Sequence, residues 1–84
     1  MITVKYFAWV RERIGKPEET MTLPASVVTI ADLARHLAGQ GEEYAYAFEN
    51  PDIVRAALDK RHAQPDTPIG SAREVAFFPP MTGG

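Results

Sequence analysis

The sequence predicts an α+β fold in two layers, a mixed sheet packed on one main helix. Three observations carry that prediction. The chain opens on an alternating stretch, Ile2-Thr-Val-Lys-Tyr-Phe-Ala-Trp9, of the kind that makes a half-buried strand. Residues 29–37 place apolar side chains at helical spacing behind a good helix cap. Near the end, Val75, Ala76, Phe77 and Phe78 are hydrophobic at consecutive positions, which suits a central strand better than an edge.

In the first strand Ile2, Val4 and Tyr6 share one face, and Thr3, Lys5 and Phe7 the other. Ala8 to Ile14 can form a helical turn, ended by Gly15 and the Lys16-Pro17 pair. Glu19-Thr-Met-Thr-Leu23 alternates again, with Met21 and Leu23 inward and Pro24 closing it. The first two strands therefore read as a hairpin with a short connection. Thr29 is a good N-cap, and Asp32 three residues on is a shorter version of the capping-box glutamate. Ile30, Leu33, Ala34 and Leu37 form the apolar stripe of the main helix, which Gly39 and Gly41 end. Glu43 to Phe48 reads as a short second helix stopped by Asn50-Pro51. The stretch Ile53 to Leu58 is ambiguous: its local propensity favours a helix, yet it suits a short strand equally. Arg61-His-Ala63 reads as a short strand, and Gln64 to Pro68 as a turn or loop.

Eighty-four residues make one domain, near the lower size at which a single core suffices. A hydrophobic content of 45% is ordinary for a folded chain. The net charge of −2 argues against nucleic acid as a main partner, since phosphate binding needs a concentrated basic surface. Arg11, Arg13 and Lys16 form the one local basic cluster, which a solvated turn explains. The absence of cysteine removes disulfides, thiolate metal sites and thiol nucleophiles. No apolar run approaches the roughly 20 residues that span a bilayer. Residues 1–15 lack a signal-peptide layout, so the cytoplasm is the expected location.

His36 and His62 are isolated and make a poor metal site, so no metal is expected. Asp32, Arg35 and His36 read as surface pairs on the helix, and Glu42-Glu43 as favourable charges at a helix start. No glycine-rich phosphate loop, serine elbow or paired-carboxylate pattern is present. The chain is not expected to catalyse anything unaided, nor to bind a cofactor.

The chemistry is expected at the end of the sequence. Residues 1–78 read as the domain and residues 79–84 as a flexible, extended tail. Pro79 and Pro80 cannot donate to a ladder and hold their stretch near polyproline II. From Pro79 to Gly84 the chain can reach roughly 20 Å at about 3.3 Å per residue. That is enough to thread a terminal carboxylate into the active site of another protein. Gly83 and Gly84 have no Cβ and can pass a narrow channel.

The stretch Glu74-Val-Ala-Phe-Phe-Pro-Pro-Met-Thr-Gly-Gly84 resembles the C-terminus of the small, sulfur-carrying subunits of molybdopterin synthase. The opening Ile2-Thr-Val-Lys-Tyr-Phe-Ala-Trp-Val-Arg-Glu12 resembles theirs as well. The resemblance implies a ubiquitin-like β-grasp fold, with the first and last strands adjacent and parallel at the sheet centre. It favours strands around residues 53–58 and 61–63. Where that family carries an acidic turn before the final strand, this sequence has Ser71-Ala72-Arg73. The stretch from Ile53 to His62 departs from the family pattern too.

What the resemblance implies for function is covalent group transfer on the chain's own terminus. A partner adenylyltransferase, using ATP and magnesium, would convert the Gly84 carboxylate to an acyl-adenylate. A sulfur donor would then displace AMP and leave a thiocarboxylate. The large synthase subunit, in a heterotetramer of two small and two large subunits, would receive the tail. Two such sulfurs would convert cyclic pyranopterin monophosphate into the molybdopterin dithiolene. Rival readings are a carrier for thiamine thiazole or another sulfur pathway, a ubiquitin-like modifier attached to lysines through Gly84, and a plain interaction domain.

Strand parity adds a docking surface, since Phe7 and Phe78 should face away from the helix while Val75 and Phe77 face it. The resemblance adds Arg11, at a contact position for the activating enzyme, and His62. Pro79, Pro80, Met81 and Thr82 would line the same contact along the tail, leading to Gly83 and Gly84.

Overall fold

The structure, a computed structural model, describes residues 1–80. In chain order the elements are β1 (Ile2–Tyr6), α1 (Ala8–Ile14), β2 (Glu18–Met21), α2 (Ile30–Ala38), α3 (Glu42–Ala47), a 3-10 turn (Pro51–Ile53), β3 (Arg55–Leu58), β4 (Arg61–Ala63) and β5 (Glu74–Phe78). The strands form one mixed sheet in the order β2-β1-β5-β3-β4. β1 and β5 run parallel, with Val4 opposite Val75 and Tyr6 opposite Phe77. The other pairings are antiparallel. This is the β-grasp topology, with its longest helix, α2, laid against one face of the sheet.

The first strand ends earlier than the alternation of residues 2–9 suggests. The Phe7 amide still donates to the Phe77 carbonyl at 3.0 Å, but Ala8 takes φ +54 and turns the chain into α1. Gly15, at φ +91, closes that helix, a left-handed angle that glycine adopts without a Cβ clash. β1 and β2 do pair antiparallel. Their connection is not short, however, because it contains all of α1. Leu23 lies past the end of β2, half-buried against the core.

α2 begins as the sequence indicates. The Thr29 hydroxyl accepts the Asp32 amide, while Asp32 Oδ2 accepts the amides of Thr29 and Val28, each at 3.1 Å. Residues 53–58 resolve into the last residue of the 3-10 turn and then a strand, because β5 offers β3 a full antiparallel ladder.

The core fills the space between the sheet and all three helices. Ile2, Val4, Tyr6, Val75, Phe77 and Ala56 contribute from the strands, against Val10, Ile14, Ile30, Leu33, Leu37, Tyr44 and Phe48. Phe48 meets Phe77 edge-on, with ring centroids 5.0 Å apart. The turn from β3 to β4 places Asp59 and Lys60 at φ +46 and +72, the pair of left-handed angles a tight two-residue hairpin requires. Asp59 Oδ1 accepts the amides of Arg73 and Glu74, each at 3.0 Å. A carboxylate therefore does stand at the turn before β5. It comes from the β3–β4 hairpin and not from Ser71-Ala72-Arg73.

Candidate functional site

Register sorts the residues of the sheet onto two faces. Lys5 lies opposite Ala76, Ala76 opposite Ala57, and Ala57 opposite His62. One step along, Phe78 lies opposite Arg55, and the parallel pairing of Tyr6 with Phe77 puts Phe7 at the position beside Phe78. These residues point away from the helices. Ala57 and Ala76 lie outside the core cluster, yet each is only 8% exposed. Their small side chains sit in a shallow floor that longer neighbours overhang.

His62 leans over that floor to meet Phe78, ring edge to face, with centroids 5.6 Å apart. That contact limits the exposure of Phe78, which strand parity turns away from the helix. Phe78 does face away from the core, but it is half-buried because His62 covers part of it. Phe7 is 46% exposed. Arg11, one turn further on in α1, is exposed as well. Lys5 and Glu74 form an ion pair at 3.2 Å on the same face. Pro79 and Pro80, which carry the chain off β5, are half-buried. The fold thus brings Phe7, His62, Phe78 and the start of the proline pair to one end of one face. Met81, Thr82, Gly83 and Gly84 lie outside the described residues.

A groove of about 830 Å³ opens round the corner from this face, between α2 and the β3–β4 side of the sheet. Its floor includes Ile30, Phe48, Ala56 and Phe77, and it shares Arg55, Phe78 and His62 with the outer face. Nothing in the sequence pattern announces it, because its walls come from four separate segments.

The expected basic cluster divides into different roles. Arg13 does not simply project into solvent: its guanidinium lies 4.6 Å from the Trp9 ring centroid and 4.0 Å from that of Tyr46. It also donates to the Tyr46 carbonyl at 3.1 Å, tying α1 to α3. Lys16 lies 3.6 Å from Glu19. Glu19 is a polar centre that lies outside the expected site residues. Its Oε2 accepts the hydroxyls of Tyr6 and Tyr44, each at 2.7 Å. Burial alone would raise the Glu19 carboxyl, but those hydrogen bonds and the Lys16 ammonium outweigh it and hold its pKa below the ordinary value. Burial and the Glu19 carboxylate together push the Tyr6 phenol well up. These groups point into the fold and away from the outer face, so they stabilise the frame of the site.

A β-grasp domain with one bare sheet face, whose central strand runs out into paired prolines, is of the ubiquitin-like class. The chain belongs to the ThiS family, whose model matches residues 4–84. It is 38% identical to the molybdopterin synthase sulfur carrier subunit of Escherichia coli strain K12 over 84 residues, all of both chains. It is 32% identical to the subunit of the same name from Haemophilus influenzae, again over the whole of both. A solved structure from Pyrococcus furiosus, described as molybdopterin converting factor subunit 1, superposes with a TM-score of 0.74 at 26% identity. That match covers 95% of this chain and 97% of the other. No helix among the described residues is long and apolar enough to cross a membrane.

Proposed function

We propose that this protein is the sulfur carrier of a molybdopterin synthase, with Gly84 as the carrying group. The single observation that carries the reading is the full-length likeness to subunits of that name. The bare face at the root of the tail fits it.

The chemistry follows from what a carboxylate lacks. Its leaving group would be oxide, so it must be activated before sulfur can replace oxygen. A carboxylate oxygen of Gly84 attacks the α-phosphorus of ATP in a partner adenylyltransferase. Pyrophosphate leaves, and magnesium held by that enzyme supports the charge. Hydrosulfide, released at the acyl-adenylate by a sulfur donor, then attacks the acyl carbon, losing its proton as AMP departs with the original oxygen. The product is a thiocarboxylate. The large subunit receives the tail and uses two such sulfurs on cyclic pyranopterin monophosphate, in an assembly of two small and two large subunits. The protein itself binds no cofactor in this scheme. Phe7, Arg11, His62 and Phe78 form the docking face, and Pro79 to Thr82 carry Gly83 and Gly84 into the partner.

Deleting Gly84 is the direct genetic test. Circular dichroism and thermal melts should match the full-length protein, because Gly84 lies past the last strand. Reconstituted dithiolene synthesis should be lost. A truncated protein that still supports synthesis would remove Gly84 from the chemistry.

A further inference from the structure

Resting on the sulfur-carrier reading, we propose that the groove between α2 and the β3–β4 side of the sheet is a second docking site for the large subunit. It would hold a segment of that subunit in which apolar side chains are flanked by carboxylates. The groove's floor and inner walls are apolar: Ile30, Ala34, Phe48, Val54, Ala56 and Phe77. Its lining carries two arginines against one carboxylate, in a chain whose net charge is −2. Arg35 stands on the helix wall and Arg55 on the sheet wall, with Asp52 the one carboxylate among the lining residues.

Both guanidiniums keep donors to spend. Arg55 gives one hydrogen bond to the Asp52 carbonyl at 3.0 Å. Arg35 meets Asp32 at 3.5 Å with its side chain 76% exposed, an ion pair that contributes little. An occupant with an apolar body and a carboxylate toward each wall matches this arrangement. The groove is also continuous with the outer face through Phe78 and His62. A partner that takes up the tail beside Phe78 therefore has this opening within immediate reach.

Titration calorimetry of the full-length protein with the purified large subunit tests the idea through three variants. Arg35→Glu reverses a charge at an exposed position, Ala34→Phe fills the groove, and Asp52→Asn removes its carboxylate. The first two should weaken the complex about tenfold or more, and Asp52→Asn should tighten it several-fold. Both charge effects should shrink at about 1 M salt, where the Debye length is about 3 Å. Thermal melts separate misfolding from lost binding for Ala34→Phe, while Arg35→Glu leaves the core untouched.

If all three variants bind like the wild type while Phe78→Ala weakens the complex, the groove is not part of the interface. If Arg35→Glu alters sedimentation of the free protein and not the complex, the occupant is a second copy of this chain and the proposal fails. If the wild type itself does not bind the large subunit, the sulfur-carrier reading fails first, and this inference with it.

Discussion

Glu19 shows how a single carboxylate can hold a small fold together. It accepts two phenolic hydrogen bonds and sits beside Lys16, bridging β2 to β1 and α3. Glu19→Ala would leave both hydroxyls without that acceptor, and should cost about 2–4 kcal/mol. A melt is sensitive enough to see this, since each kcal/mol moves the midpoint of a domain this size by about 4–8 °C. The pH dependence has a definite sign. Hydrogen bonding holds the Glu19 carboxyl below its ordinary 4.5 in the native state, and the capping amides of Thr29 and Val28 hold Asp32 below 3.8. A carboxyl lowered on folding adds stability that is present above its unfolded pKa and lost as pH falls through the native one. Glu19→Gln removes one of those contributions. Its midpoint should therefore fall less than the wild type's between about pH 5 and pH 3; parallel curves would show that Glu19 is not so coupled. Part of this was legible. Glu19 is in phase with Met21 and Leu23, so alternation turns it inward, and an inward carboxylate must find partners. Its partners were not legible, because Tyr6 and Tyr44 lie 13 and 25 residues away and only the topology brings them together.

β5 is the element on which site and core meet. Phe77 is 1% exposed and packs on Phe48, so Phe77→Ala should leave a cavity and cost about 3–5 kcal/mol. Phe78→Ala loses its edge contact with His62, worth about 0.5–1.5 kcal/mol. It should weaken docking by about 2 kcal/mol or more if the ring is an interface anchor. Melting curves and calorimetry on the two variants separate these effects. Equal losses of stability would mean that the two rings do not divide their work between core and surface. The phase of β1 and β5 could be read from the sequence because alternation and burial are local signals. The start of α2 was legible for the same reason, since Thr29 and Asp32 complete their own capping box. Arg55 to Leu58 carried no such signal. Two alanines in four residues fit a helix as readily as a strand, and the ladder from β5 decides. The helical turn from Ala8 to Ile14 was legible too, although the alternation up to Trp9 overran its start, where Ala8 adopts a left-handed angle that its residue type does not suggest.

At the scale of the molecule, the parallel pairing of β1 and β5 sets everything that matters for function. It puts the last strand at the middle of the sheet, secured on both sides. The chain beyond Phe78 therefore leaves from a rigid base, beside Phe7 and His62. The class of fold was visible in the order of the elements. The groove beside α2 was not, since Ile30, Phe48 and Ala56 come together only in three dimensions. On the proposed reading, the whole arrangement serves a change at one atom of Gly84. The decisive measurement is the intact mass of the protein after incubation with ATP, magnesium, an adenylyltransferase and a sulfur donor. Replacement of one carboxylate oxygen by sulfur should add about 16 Da, and the gain should be absent when Gly84 is deleted. An unchanged mass, or adducts joined through lysine isopeptide bonds, would contradict the assignment of Gly84 as a sulfur carrier.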